Sequence, residues 1–475
     1  MRGALGGWRG RWEGPGGVRE LLAIAYPLVL SQMSLTVQVF VDRLFLTWYS
    51  TEAVAAAVTG LLVTWSVVGL CINTGEYVST FIAQYYGAGR HRRIGAALWQ
   101  GIYFSLLAGT CVAALSPLAG PLFALAGHAA PLREYEAAYS RILLLGAAPI
   151  VLMATLPSFY AGRGRTLPIL LVQLLATALN AVLCYLWIFG RGGFPRGGVR
   201  GAALATVTSQ AIGAAVYLGL VLRRSHRERF GTLASWRPEP ALFARLLRYG
   251  LPAGLQFSIE IMAFAVFMVI VGRLGTPPLA ATGIAFNLNM IVFMPFLGTG
   301  IAVSSLVGRY LGAGQPENAE RSVWSAFRLG LVYLGVGSAL YLLAPRLLLA
   351  PYAAGADPAA FAEVGRYSVV LLRFVAVYSL FDMMSVIFAA ALKGAGDTTY
   401  PLVVTLVLAW GVMVIPTYVL CTHLGGGVYA AWTTASAYIF LVGLLMLRRF
   451  RRGGWKSLRV IEEPMPELAP QTATA

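Results

Sequence analysis

The chain has 475 residues, 58% of them hydrophobic and only 12% charged, with a net charge of +17 and a mean hydropathy of +0.72. A water-soluble domain carries about twice that charged fraction, so a soluble enzyme or binding module is excluded and an integral membrane protein is indicated. The basic excess invites a nucleic-acid reading, but its distribution along the chain excludes that as well.

Crossing a bilayer takes about 20 predominantly apolar residues as a helix. The first 18 residues are rich in Gly and Arg and lack the apolar core and cleavage site of a secretory signal. They read as a disordered cytoplasmic N-terminus. Spans are predicted at 20–46, 53–80, 95–117, 139–161, 168–188, 202–222, 249–272, 279–307, 323–344, 369–392, 401–420 and 429–447. The first six form an N-lobe, 19–222. A basic cytoplasmic linker, 223–248, leads to a C-lobe of six more, 249–447. Residues 448–475 read as a basic and then disordered cytoplasmic tail, ending in "EEPMPELAPQTATA". Twelve spans return both termini to one side. Most of the 36 Lys and Arg lie in segments on that side, which the positive-inside rule makes cytoplasmic. Cys71, Cys111, Cys184 and Cys421 show neither metal nor disulfide spacing.

The two lobes are copies. Pro27 pairs with Pro252, Thr51 with Thr276, Gly87 with Gly312 and Trp99 with Trp324, each 225 residues apart. The offset then drifts to 232, at Arg141 with Arg373 and Gly162 with Gly394, and to 229, at Gly198 with Gly427. Six is an even number, so both halves enter from the same side. The repeat is parallel, with a pseudo-twofold axis along the membrane normal and a cleft between lobes as the natural substrate site. The fold class is an all-α membrane protein of twelve helices in two six-helix lobes.

The paired "GAG" turns, "LPAGLQFSIEIMAFAVFMVIVGRLGTPPLAATGIA" and "ALKGAGDTTYPL" resemble the multidrug and toxic compound extrusion (MATE) family, closest to its NorM-type branch, over residues 19–450. The resemblance implies a multi-pass, monomeric antiporter of the plasma (inner) membrane. It would expel amphipathic, often cationic compounds in exchange for H⁺ or Na⁺ by rocking of the lobes, with no other cofactor.

Four acids stand inside the predicted apolar helices: Asp42, Glu76, Glu260 and Asp382. Such a charge costs roughly 2.5–3.5 kcal/mol to insert and marks an ion or substrate path unless a neighbour pairs with it, as the adjacent Arg43 is placed to do for Asp42. Tyr378 and Asp382 are four apart and share a helix face. With Glu260 they match the positions that the NorM-type branch uses for cation coupling in its C-lobe. The repeat places Leu35 opposite Glu260 and Ile150 opposite Asp382, so these acids belong to one lobe only. In the N-lobe, Gln38 and Asp42 share a face, and the family's ion pocket matches Asp42, Asn180 and Thr206. The family normally adds an acidic or amide residue where this chain has Cys184, a poor ligand for Na⁺. That departure points to H⁺ at the N-lobe. Glu76 is a second departure, either a relocated coupling carboxylate or a polar contact of Arg43. Asn287, Met290 and Met294 are candidates for the substrate cleft.

The four histidines fall in loops, and no metal site beyond Na⁺ is expected. A lipid-linked oligosaccharide flippase of the same exporter superfamily is the alternative, although Arg43, Arg141, Arg328 and Arg373 sit near helix ends rather than in a basic cavity. A membrane-embedded transferase would need DDxxD or HExxH, and neither occurs. The expected partners are small amphipathic substrates and membrane lipids.

Overall fold

The computed structural model describes residues 12–125, 130–354 and 358–462. Among these residues there is no β-strand. Eleven helices are long and apolar enough to cross a membrane, and the remaining span is a pair bent by 53°. In chain order they are α1 (Val18–Tyr49), α2 (Thr51–Gly87), α3 (His91–Ala124), α4 (Ala130–Leu145 with Ala147–Ala161), α5 (Leu167–Phe189) and α6 (Gly198–Val221). The second lobe holds α7 (Pro240–Gly272), α8 (Thr276–Gly312), α9 (Pro316–Leu343), α10 (Pro358–Ala395), α11 (Thr399–Thr422) and α12 (Val428–Arg451).

Local chemistry sets these ends. The Ser50 hydroxyl caps α2 by accepting from the Ala53 N–H at 3.0 Å. Prolines open α7, α8 and α9, where the missing N–H would have had no helical partner. Pro27 and Pro252 lie inside α1 and α7 at equivalent places, and such prolines are tolerated in membrane helices because neighbours satisfy the freed carbonyl. After α2 and α8 the chain turns through Gly89 and Gly314, at φ +72° and +71°, a left-handed conformation that other residues adopt at a cost.

Lipid supplies no hydrophobic force between helices, so association depends on close backbone approach at small residues. The repeat is visible in these approaches. A methyl group on Gly87 would stand 1.9 Å from the Arg309 carbonyl oxygen, and one on Gly312 would stand 2.1 Å from that of Gln84. These two contacts are reciprocal, so α2 and α8 meet across the pseudo-twofold axis. Within the lobes, a methyl group on Gly162 would stand 2.5 Å from the Ser79 carbonyl oxygen and one on Gly394 2.6 Å from that of the equivalent Ser304.

Joins between lobes cluster in the half of the molecule that carries both termini. Tyr77 of α2 donates to the Lys393 carbonyl of α10 at 2.7 Å, and Gln84 donates to the Gly394 carbonyl at 3.2 Å. Gly298 of α8 packs on the backbone of Val29 in α1.

Three expectations change. The linker is shorter than 223–248: it forms a helix, Arg224–Phe230, and α7 already begins at Pro240, because the Arg-bearing first turns still present an apolar face at Leu242 and Leu246. The first part of the tail is not loose. Trp455 is buried and stacks on Phe450 at 5.0 Å, and Val460 and Ile461 are buried; residues 463–475 lie outside the described ones. Of the expected N-terminal disorder, residues 1–11 also lie outside, while Gly16 is hydrogen-bonded to Tyr310 at 2.9 Å.

Candidate functional site

In the N-lobe, Ser34, Gln38 and Asp42 recur every four residues along α1, a spacing that puts them on one helix face. That face meets Gln173, Thr177, Asn180 and Cys184 on α5. Ser34 donates to Thr177 at 2.9 Å, Gln173 reaches Thr177 at 3.4 Å, and Thr177 lies 3.5 Å from Gln38 Oε1. At the far end the Cys184 thiol donates to Asp42 Oδ1 at 3.1 Å. Asn180 donates to Thr206 of α6 at 3.4 Å, which leaves the Asn180 carbonyl oxygen turned toward the thiol at 4.0 Å. The three residues matched to an N-lobe pocket, Asp42, Asn180 and Thr206, therefore belong to one polar cluster, which Gln38 joins through Thr177 and from which Glu76 is absent. Asp42 does not pair with Arg43, whose side chain is exposed.

Interhelical hydrogen bonds in membranes average about 0.6 kcal/mol, well below the roughly 2.5–3.5 kcal/mol that a buried charge costs to insert. The cluster therefore does not exist for stability. A thiol has one proton and a soft sulfur. Opposite Asp42 it acts as a donor, where an amide or carboxylate would have offered oxygen to a metal ion.

In the C-lobe, Glu260 of α7 stands close enough for its charge to act on Asp382 of α10. Tyr438 of α12 donates to Glu260 Oε1 at 3.4 Å. Tyr378, one turn before Asp382, is buried with its ring 6.2 Å from that of Trp432. The Trp432 indole N–H donates to Thr282 at 3.1 Å and its ring stacks on Phe286 at 5.2 Å. The Asp382 charge acts on Tyr378 as the Glu260 charge acts on Asp382, so the three residues expected in this lobe are neighbours, with Tyr438 hydrogen-bonded to Glu260. Two ionised carboxylates in one site repel, and a proton or small cation between them relieves the repulsion. Among the described residues, neither these two nor Asp42 forms an ion pair with Lys or Arg, and no three His, Cys, Asp or Glu side chains converge as a metal site.

Glu76 sits apart from both clusters, in the half that carries the termini, and its neighbour is not Arg43. The charged group that acts on it is Lys393 of α10, which also acts on Glu260. The Lys393 charge thus acts on one carboxylate of each lobe. Asn287 and Met290 are exposed on α8, with Met294 half-buried one turn nearer the α1 contact.

Several residues were missed. Lys393 falls beyond the predicted end of its span at 392, and α10 continues to Ala395. Glu136 falls before the predicted start at 139; it is fully buried in α4 and accepts from Thr59 of α2 at 2.5 Å, so the acids inside spans exceed the four expected. Tyr438 and Trp432 carried no signal, being aromatic residues on apolar helices. Thr177 and Ser34 did carry one, the four-residue polar spacing.

A MatE family profile matches residues 27–186 and 252–419, one segment in each lobe. The "Probable multidrug resistance protein NorM" of Burkholderia pseudomallei is 30% identical over 430 residues, 90% of this chain and 91% of its own. The protein of the same name from Rhizobium meliloti is 28% identical over 435 residues, 91% of this chain and 93% of its own. Among solved structures, an outward-facing multidrug resistance MATE family transporter of the MOP superfamily superposes with a TM-score of 0.83 at 21% identity, covering 92% of this chain and 96% of its own. A MATE protein in its straight conformation gives 0.83 at 21%, covering 92% and 97%. With twelve spans, two duplicated lobes and a match running through both, this chain belongs to the MATE (multidrug and toxic compound extrusion) family of membrane transporters.

Proposed function

We propose that this transporter is an antiporter of the plasma (inner) membrane, with both termini cytoplasmic, that expels amphipathic, cationic compounds in exchange for H⁺. Its lobes rock between two access states and expose the cleft to one side at a time. The observation that carries the reading is the state of the half-buried acids within the spans. Among the described residues Asp42 and the Glu260–Asp382 pair, in separate lobes, make no direct ion pair with Lys or Arg, and Lys393 acts on Glu260 only from beyond ion-pair distance, so a mobile cation is left to neutralise them. A cation that binds one access state better than the other shifts the populations by that difference in affinity. H⁺ is favoured over Na⁺ at the N-lobe because the group facing Asp42 donates a proton instead of offering oxygen. The cleft face of α8, with exposed Asn287 and Met290, offers an amide and a polarisable thioether to a flat cationic substrate.

The deciding experiment is uptake of a fluorescent organic cation into proteoliposomes, with a pH gradient or a Na⁺ gradient imposed alone. Transport under the pH gradient in sodium-free buffer is expected. Transport that requires Na⁺ overturns H⁺ coupling, and transport indifferent to both gradients overturns antiport.

A further inference from the structure

The repeat that relates the lobes breaks at one pair of positions on the face carrying the termini. Tyr85, at the end of α2, is equivalent to Tyr310 at the end of α8, and Glu20 of α1 is equivalent to Arg245 of α7. On one side of the axis the lobes are clamped directly. Tyr310 donates to Glu20 Oε2 at 2.5 Å, Arg309 pairs with the same carboxylate, and the Gly16 N–H reaches the Tyr310 hydroxyl at 2.9 Å. On the equivalent side α7 offers a guanidinium, which cannot accept a hydrogen bond from Tyr85.

The carboxylate that is missing there comes from the C-terminal segment. Tyr85 donates to Glu462 Oε2 at 2.7 Å, and Arg245 donates to the same oxygen at 2.7 Å. Arg93 of α3 lies 3.2 Å from Glu462 Oε1, and Arg90 donates to the Glu462 backbone carbonyl at 2.9 Å. Two residues earlier, the Val460 N–H donates to Gln84 of α2 at 2.9 Å. One side chain thus joins α2 and α3 of the first lobe to α7 of the second.

We infer that residues 454–462 form a strap that holds the lobes closed on the face carrying the termini, with Glu462 supplying the carboxylate of the second of two equivalent clamps. The strap is rooted in the second lobe: Trp455 stacks on Phe450 of α12 and donates to its carbonyl at 2.8 Å, and Lys456 pairs with Glu320 of α9 at 2.6 Å. When the lobes part here, the bonds to Gln84, Tyr85, Arg90 and Arg93 break while Arg245 keeps its partner. Opening this face therefore means breaking charge-assisted bonds at Glu462 as well as those at Glu20.

The inference rests on the two-access-state reading but not on the identity of ion or drug, so its test uses neither. Spin labels at Arg165→Cys and Glu317→Cys, both exposed positions on opposite lobes, report the opening of this face in lipid nanodiscs by pulsed dipolar spectroscopy. The background carries Cys111→Ser and Cys421→Ser. Glu462→Gln is expected to raise the wide-distance population roughly tenfold, the equivalent of one charge-assisted hydrogen bond, and a stop codon after Arg452 is expected to do at least as much. Adding Arg245→Glu to Glu462→Gln lets Tyr85 bond α7 directly, as Tyr310 bonds Glu20, and should return the population toward wild type. Unchanged distances in both Glu462→Gln and the truncated chain overturn the strap. Failure of Arg245→Glu to restore closure overturns the equivalence of the two clamps.

Discussion

The Cys184 thiol donates its proton to the Asp42 carboxylate across 3.1 Å, between α5 and α1. Losing one hydrogen bond to a charged group costs about 1.5–3 kcal/mol. Cys184→Ser keeps a donor there and should keep H⁺-driven efflux, while Cys184→Ala should lower it about tenfold. Cys184→Asp adds oxygen ligands and should make efflux respond to Na⁺. Efflux by each variant in proteoliposomes, with and without Na⁺, checks this; equal rates for the Ser and Ala variants would show that the bond is idle.

Glu260 acts on Asp382, and Tyr438 ties Glu260 to α12. Asp382→Asn should insert and fold yet lose gradient-driven efflux, and Glu260→Gln should behave the same way. The double variant should be little worse than either, because residues that act as a unit are non-additive. Losses that multiply would instead assign two independent sites.

The Lys393 charge acts on a carboxylate from each lobe. Lys393→Gln removes the one fixed positive charge that acts on both Glu76 and Glu260 and should lower the unfolding temperature in detergent. Adding Glu76→Gln removes one of the stranded charges and should recover part of that loss. A double variant less stable than Lys393→Gln alone contradicts the assignment.

Gly87→Ala and Gly312→Ala each drive a methyl group into a backbone carbonyl of the other lobe. Overpacking of this kind costs roughly 1–3 kcal/mol, and at these positions it acts only on the state in which α2 and α8 touch. Both variants should expose the face that carries the termini to water-soluble thiol reagents. An unchanged labelling rate there would mean that the contact yields without parting the lobes.

Burial raises the pKa of Glu462, but the Tyr85 hydroxyl, its own backbone N–H and Arg245 outweigh burial and hold it at about 2. A carboxyl whose pKa is lower folded than unfolded stabilises fully above its ordinary value of 4.5 and loses that contribution as pH falls toward the folded value. The difference in unfolding temperature between wild type and Glu462→Gln should therefore be constant from pH 7 to about 5 and shrink below it. A difference that grows on acidification would contradict this.

The spans and the duplication were legible because apolar runs and matched prolines and glycines are local features. So were Glu260, Asp382 and Asp42, since an acid in an apolar run stands out on composition alone. Lys393 and Glu136 were lost because they lie one and three residues outside the predicted span ends, which fall short of the helix ends at Ala395 and Ala130. Glu462 was lost because "EEPMPELAP" reads by composition as solvated chain, and only the convergence of Tyr85, Arg93 and Arg245 orders it. That Cys184 serves Asp42, and Lys393 serves Glu76 in place of Arg43, are facts of helix packing that no spacing along one helix contains.

The reciprocal seating of Gly87 on Arg309 and Gly312 on Gln84 is the geometry of an isologous interface, in which each partner presents the same surface to the other. A single lobe thus carries both halves of the contact, Gly87 with Gln84 in the first and Gly312 with Arg309 in the second. Joining two such halves in one polypeptide leaves two equivalent corners but only one C-terminus. A device built from that terminus can occupy only one corner, so the other must be closed by residues of the helices themselves, as Glu20, Arg309 and Tyr310 close it.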